Sequence, residues 1–163
     1  VMAAVGEPVR ELKDAAWWEE YGVSELGPFQ QLRAVAPGIL ALSGPEFSST
    51  ERGADPLLSN LQELFPAEHP ARCYPLWVVT EKADFLSGSW ENFLWVTFTR
   101  SDPATDIYGV ESFTKNKHWG CHGPMVIDAR LKPHHAPVLE EDPDLVSKIE
   151  AMAASGEPLH GIF

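Results

Sequence analysis

Two short apolar runs, each beginning at a proline, constrain the fold of this chain more than any other feature. Residues 37–42 (PGILAL) and residues 75–80 (PLWVVT) are both too short for a buried helix, so each predicts a buried strand. Between them, Asp55-Pro56 is typical of a helix start. Apolar residues then recur at helical spacing: Leu57, Leu58, Leu61, Leu64 and Phe65. Strand, helix and strand form the unit that builds parallel sheets. The sequence therefore predicts an α/β fold, a three-layer sandwich with a mostly parallel sheet.

Other patterns complete the predicted order of elements. Helices are predicted over residues 8–21, 27–36, 90–100 and 142–155, strands over 106–110 and 125–129, and a polar loop over 46–54. We interpret residues 1–36 as an N-terminal helical extension and residues 37–163 as the α/β domain.

The segment from residue 90 to residue 100 (WENFLWVTFTR) is apolar on most sides. Its second half alternates as a strand does, but its length and the absence of an internal break favour a helix. A helix of this kind lies buried between layers or against a partner. The same reasoning assigns Trp77, Trp90 and Trp95 to the core.

Charge and cysteine content narrow the functional classes. Asp and Glu number 24 against 12 Lys and Arg, which gives a formal net charge of −12. Such a surface repels phosphate backbones and anionic lipids, so no nucleic acid and no membrane is expected as a partner. The acidic first 20 residues do not fit a signal peptide. Cys73 and Cys121 have no paired spacing, which predicts free thiols and a cytoplasmic location.

The densest group of reactive side chains lies in residues 115–124 (KNKHWGCHGP), between two predicted strands. Loops held by a rigid sheet commonly carry binding groups. We therefore select Lys117, His118, Trp119 and His122 as candidates for a substrate cleft.

Two other chemistries are conceivable for the same segment. Histidine and cysteine are zinc ligand types, and the possible ligands are His118, Cys121, His122, His134 and His135. Their spacing matches no zinc finger or ribbon, so hydrogen-bonded loop histidines are favoured and no metal ligand is assigned. A nucleophilic Cys121 beside His122 is also disfavoured, because such pairs meet in space rather than along the chain.

Residues 92–107 (NFLWVTFTRSDPATDI) and 126–133 (VIDARLKP) resemble the C-terminal domain of UbiD-type decarboxylases. In that family, as in residues 92–107 of this chain, a predicted buried helix is followed by Thr-Arg, then by an Asp-Pro turn, and then by an aspartate before the next strand. Residues 75–84 look like that family's strand followed by an acidic turn. The segments 117–120 (KHWG) and 132–137 (KPHHAP) are most similar to the anaerobic, phenylphosphate carboxylase-like branch.

The resemblance implies a small subunit or C-terminal domain of a prenylated-FMN-dependent (de)carboxylase acting on an aromatic or unsaturated carboxylic acid. It implies a role in assembly and active-site closure within a hetero- or homo-oligomer. Prenylated FMN and the catalytic carboxylates are expected in a larger subunit or another domain, so no catalytic or cofactor-binding residue is assigned here. The alternatives are a non-catalytic assembly subunit and a metal-binding enzyme that uses the His/Cys loop.

Overall fold

A five-stranded sheet, seen in a computed structural model, positions most of the residues discussed below. The structure describes residues 6–7, 11–22, 27–48, 61–136 and 142–162. The chain separates into two compact units, Val1–Pro133 and His134–Phe163, and the sheet belongs to the first. The strands, in chain order, are β1 (Gln30–Ala36), β2 (Ile39–Ser43), β3 (Leu76–Thr80), β4 (Ile107–Gly109), β5 (Ser112–Lys115), β6 (His118–Cys121) and β7 (Met125–Asp128).

The order of strands in the sheet is β1-β2-β3-β7-β4, and β5 pairs with β6 in a separate hairpin. Three of the five strands run in the same direction, because β2 pairs parallel to β3 and β3 parallel to β7. Strands β1 and β4 are antiparallel to their neighbours at the two edges. The predicted α/β class with a mostly parallel sheet is confirmed.

Helices cover both faces of the sheet, which accounts for the near-continuous hydrophobic character of its central strands. They are α1 (Ala15–Tyr21), α2 (Leu61–Leu64), α3 (Ala83–Ser87) and α4 (Trp90–Thr99), with a 3-10 helix at Pro70–Cys73. Successive residues of β3 point to opposite faces: Trp77 and Val79 join the core that contains α1 and α2, and Val78 joins the core that contains α3 and α4. These two cores give the three layers.

Helix α1 begins later than the spacing of apolar residues predicts. Residues 8–10 lie outside the described part of the chain, and residues 11–14 are not helical. The side chain of Asp14 accepts a hydrogen bond from the backbone N–H of Trp17, which makes Asp14 the N-cap. Gly22, in the left-handed conformation at φ 76°, ends the helix where the sequence predicts.

The helix predicted over residues 27–36 is wrong, because residues 30–36 form edge strand β1. The turn Pro37-Gly38, with Gly38 at φ 81°, brings β1 against the open edge of β2. Leu32 is fully buried there, so strand pairing outweighs local helix preference. This strand links residues before 37 to the sheet. The division at residue 36 otherwise stays a prediction, since residues 1–5, 8–10 and 23–26 are not described.

Helix α4 forms as predicted, with Ser89 as its N-cap, but only one side of it is buried. Phe93, Val96 and Thr97 face the sheet. The rest of its surface exposes four large apolar residues, which we call the aromatic face: Trp90, Leu94, Trp95 and Phe98. The prediction that Trp90 and Trp95 are core residues is therefore wrong, because a helix on one sheet face can bury only one stripe of its surface. Trp77 is in the core as predicted.

The remaining predicted elements have mixed outcomes. Strands β4 and β7 confirm those predicted near residues 106–110 and 125–129. The helix predicted from Asp55 is described only at α2, since residues 49–60 lie outside the described part. Residues 46–48 have no regular structure, as a loop predicts. No helix among the described residues is long and apolar enough to cross a membrane.

The second unit contains helix α5 (Pro143–Ala153). The Asp142 side chain caps it by accepting hydrogen bonds from the backbone N–H groups of Asp144 and Leu145. Pro143 occupies the first turn, where its missing N–H costs nothing. The Asp-Pro helix start predicted here is confirmed.

His69 is expected to make stability depend on pH below about 6.5. Its Nδ1 accepts a hydrogen bond from the backbone N–H of Ala71 at 3.1 Å. Burial, and then the charge of Arg72, lowers the pKa of His69 from 6.5. Between the two pKa values the unfolded chain binds more protons, so the free energy of unfolding falls as the pH drops through this window.

The measurement is the urea midpoint of the native chain and of His69→Asn, each at about pH 7.5 and about pH 5.5. His69 is the N-cap of the 3-10 helix at Pro70–Cys73. Asparagine keeps a side-chain acceptor at this position but does not titrate, so the variant should lose less stability on acidification. Equal losses in the two proteins would contradict the assignment to His69.

Candidate functional site

The carboxyl ends of the three parallel strands meet at one edge of the sheet. Ser43, Thr80 and Asp128 are the last residues of β2, β3 and β7, and all three are buried. Ligands of open α/β sheets bind outside this edge. The Ser43 side chain has a structural role, since its Oγ accepts a hydrogen bond from the backbone N–H of Ala83, the first residue of α3, at 2.8 Å.

Four charged side chains, which we call the ion cluster, are buried at this edge: Asp106, Asp128, Arg130 and Lys132. Arg130 and Asp128 form a two-pronged pair, with Nε 2.9 Å from Oδ1 and Nη2 3.0 Å from Oδ2. The backbone N–H of Arg130 donates to the same Oδ1 at 3.1 Å. Its Nη1 donates to the carbonyl oxygen of Pro45 at 3.1 Å, which ties the loop after β2 to the end of β7.

Lys132, two residues after Arg130 in the sequence, completes the ion cluster. Its Nζ lies 3.3 Å from Oδ2 of Asp106 and 3.7 Å from Oδ2 of Asp128. It also donates to the carbonyl oxygens of Asp128 at 2.8 Å and Arg130 at 3.3 Å. Two carboxylates thus face two cations, which satisfies the requirement that buried charges be paired.

An aromatic ring lies over the two cations of the ion cluster. The centroid of Phe47 is 5.4 Å from Cζ of Arg130 and 5.6 Å from Nζ of Lys132. Both distances are within the range of cation–π attraction. Phe47 therefore helps to fix the loop after β2 over the cluster.

A second ion pair connects α4 to the segment after β7. Nη1 of Arg100, just past the end of α4, lies 3.2 Å from Oε2 of Glu81. The other oxygen of Glu81 accepts a hydrogen bond from the backbone N–H of Leu131. The carbonyl oxygen of Arg100 accepts one from Nζ of Lys132 at 3.4 Å. The two sequence segments that carry the family resemblance therefore meet at one place.

The pairing of charges within the ion cluster limits which ligands this edge of the sheet can bind. The buried cations are committed to carboxylates, and those carboxylates to cations. A flavin phosphate needs uncommitted donors, so the ion cluster does not fit prenylated FMN. Among the described residues, no group of three or more His, Cys, Asp or Glu side chains is arranged to hold a metal ion.

The sequence predicts a loop for the selected residues, but Lys117, His118 and Trp119 lie in the β5–β6 hairpin and His122 directly follows it. All four are exposed. Gly109 at the end of β4 lies opposite Met125, the first residue of β7. The hairpin therefore leaves the sheet at the amino ends of the parallel strands, the edge opposite the ion cluster.

The hairpin divides the four residues between two faces. Opposed residues share a face, so the register Lys115↔His118 and Thr114↔Trp119 puts His118 and Trp119 on different sides. Trp119 packs over Gly109, where an added Cβ would lie 2.8 Å from its Cζ2 atom. His122 lies on the side of His118, and Lys117 is in the turn.

The other possible metal ligands are dispersed. Cys121 lies on the Trp119 side of the hairpin and Cys73 is exposed, and neither forms a disulfide in the described part of the chain. His134 and His135 lie in the second unit, with ring centroids 4.7 Å apart.

Sequence reasoning missed the ion cluster, although a signal was present. Asp128, the last residue of β7, and Arg130 and Lys132 after it alternate with Ala129 and Leu131. Alternation of charged and apolar residues normally indicates a solvated face, whereas here the segment leaves the sheet and buries its charged side. The unusual placement of opposite charges two residues apart could have indicated mutual pairing.

Comparison with known proteins relates the chain to a decarboxylase subunit. It is 28% identical over 151 residues to a 4-hydroxybenzoate decarboxylase subunit of Chlamydia pneumoniae, covering 91% of this chain and 23% of that protein. It is 30% identical over 146 residues to an uncharacterized protein of Chlamydia muridarum, covering 87% of this chain and 22% of that protein. The chain thus spans less than a quarter of the length of these relatives. No protein-family model matches it.

One solved structure similar to this chain is the vanillic acid decarboxylase of Sedimentibacter hydroxybenzoicus in its open form. The match has a TM-score of 0.46 and 16% identity, and it covers 76% of this chain and 29% of the other. The sequence comparisons confirm the resemblance to a UbiD-type decarboxylase subunit that the motifs indicate.

Proposed function

We propose that this chain is a small subunit or domain of a prenylated-FMN-dependent (de)carboxylase that acts on an aromatic or unsaturated carboxylic acid. In this proposal it contributes assembly and active-site closure, and a larger polypeptide or domain holds the flavin. The observation that carries the proposal is the 28% identity to a 4-hydroxybenzoate decarboxylase subunit across 91% of this chain.

The division of labour is supported by the paired charges of the ion cluster. Arg130 and Lys132, the two buried cations, are both held by Asp128. We infer that the cluster fixes the segments around β7 and that the flavin phosphate is bound by another part of the assembly. The exposed and half-buried thiols, Cys73 and Cys121, are consistent with work in the reducing cytoplasm.

The aromatic face of α4 is the surface we propose for contact with the flavin-bearing polypeptide. Trp90 is 56% exposed and Phe98 67% exposed. Contiguous exposed apolar residues of this size mark interaction sites. Tryptophan is also among the residues that contribute most to binding at interfaces.

The hairpin residues Lys117, His118, Trp119 and His122 are proposed to face the cleft between this chain and that polypeptide. The test is alanine substitution at each position in the purified assembly. We expect a lower turnover rate or weaker flavin retention for at least one variant. Unchanged turnover and flavin content in all four would refute the assignment.

A non-catalytic assembly subunit is the second candidate, and the aromatic face of α4 favours it equally. Native mass spectrometry with flavin absorbance, on the complex from its natural source, distinguishes the two. A larger species with a flavin-bearing second polypeptide and decarboxylase activity supports our proposal. A complex without flavin supports the assembly subunit. A bare 18.0 kDa chain without flavin or partner contradicts both.

A further inference from the structure

One face of the β5–β6 hairpin combines cationic and aromatic side chains. The pairs Lys115↔His118 and Phe113↔Gly120 share this face, and His122 continues it. The hairpin is prominently exposed, since every residue from 111 to 119 is open to solvent. We call this set of residues the hairpin face.

The aromatic part of the hairpin face is already arranged. The rings of Phe113 and His122 have centroids 4.8 Å apart and an interplanar angle of 31°. Phe113 packs over Gly120, where an added Cβ would be 2.8 Å from its Cζ atom. The two rings form an exposed aromatic pair on the hairpin face.

The turn of the hairpin holds a lysine in a conformation that favours glycine. Asn116 has φ 53° and Lys117 has φ 66°, the two positive angles of a type I′ turn. Asparagine tolerates this region, but lysine is strained there, and glycine would occupy the second position without strain. The cation at the tip is therefore present at a cost in stability.

Charge sets the hairpin apart from the rest of the chain. No acidic residue occurs from residue 112 to residue 127, although the chain carries a net charge of −12. Glu111, at the base, is paired with Arg72. Lys115 and Lys117 thus extend a positive ribbon from a negative protein.

We propose that the hairpin face binds an extended, acidic segment of the polypeptide that completes the assembly. Within the described residues β5 and β6 pair only with each other, so each leaves an outer edge to which an added strand can hydrogen bond. Each strand has four residues, about 13 Å of extended chain, which suits a short peptide. The acidic net charge disfavours nucleic acid as the ligand. The identity of the partner rests on the proposed function.

The test measures binding of a fluorescein-labelled (Glu-Val)4 peptide to the full 163-residue chain by fluorescence anisotropy at low salt. We expect saturable binding that a (Lys-Val)4 peptide does not show. The double variant Lys115→Glu/Lys117→Glu should bind about tenfold more weakly. Its matched control, Lys82→Glu/Lys148→Glu, changes the net charge equally at two exposed lysines outside the hairpin and should stay within about twofold.

The variant Lys117→Gly separates binding from folding. It removes the charge at the tip and relieves the backbone strain there. It should therefore raise the thermal midpoint of the chain while weakening peptide binding. Equal weakening by the hairpin and control double variants would overturn the proposal, because net charge alone would then explain binding. Salt-sensitive self-association that Lys115→Glu/Lys117→Glu abolishes, without peptide binding, would overturn it in favour of a second copy.

The result of the peptide assay does not depend on the proposed function, although the identity of the natural partner does. The peptide assay requires no flavin and no decarboxylase activity. Peptide binding that depends on the hairpin, in a chain that has no flavin-bearing partner, would refute the proposed function and leave an acidic-segment site. A flavin-bearing partner with no peptide binding would refute only the inference about the hairpin.

Discussion

Replacing Asp128 with alanine is expected to lower the free energy of unfolding by about 3–5 kcal/mol. Asp128 is fully buried, and its carboxylate accepts two hydrogen bonds from the guanidinium of Arg130. Without it, Arg130 stays buried with no carboxylate in that two-pronged contact. An unpaired buried charge is costly because the interior does not replace its lost hydration. Urea unfolding, followed by tryptophan fluorescence, measures the change.

The control is the exposed ion pair between Arg33 and Asp84, in which Nε and Oδ1 lie 2.6 Å apart. Asp84→Ala should cost less than about 1 kcal/mol, because solvent screens an exposed pair. A loss in Asp128→Ala no larger than that in Asp84→Ala would contradict the role of the ion cluster.

A double variant tests whether the unpaired charge is the cause of the loss. Asp128→Leu/Arg130→Met removes both partners and keeps apolar volume, so it should be more stable than Asp128→Ala. If Asp128→Ala does not fold, Asp128→Asn gives a milder comparison, since it loses the charge but keeps a side-chain acceptor.

The sequence predicted the parts of the fold that depend on local patterns. Strands β2 and β3 are continuous apolar runs because helices cover both of their faces, and the Asp-Pro start of α5 is a local capping signal. The prediction for β1 was wrong because its pairing with β2 is a tertiary effect that residues 30–36 do not encode by themselves. Helix α4 was identified, but its apolar composition gave no information about which side the sheet covers.

The sites show the same limit. The reactive residues of the hairpin were selected by type, but the turn at Asn116 and Lys117 was missed because it lacks the usual Asn-Gly pair. The ion cluster joins Asp106 to Lys132 across 26 positions of sequence, 132 minus 106. Residue patterns could indicate the local pair of Asp128 and Arg130, but only the folded chain brings Asp106 to Lys132, so the complete cluster could not be identified from them.

Phe98→Asp is expected to weaken association with the flavin-bearing polypeptide that we propose as the partner by about 30-fold or more, while the isolated chain keeps its stability within about 0.5 kcal/mol. Phe98 is 67% exposed at the end of the aromatic face, so its loss removes little from the core. In the assembly, an aspartate there would be buried against apolar surface without a partner.

The matched control is Ile162→Asp, which introduces the same charge at a residue 66% exposed in the second unit. Titration by native mass spectrometry, with the polypeptide that co-purifies, should separate the two variants. Equal affinities would show that the aromatic face of α4 is not the surface that holds the assembly together.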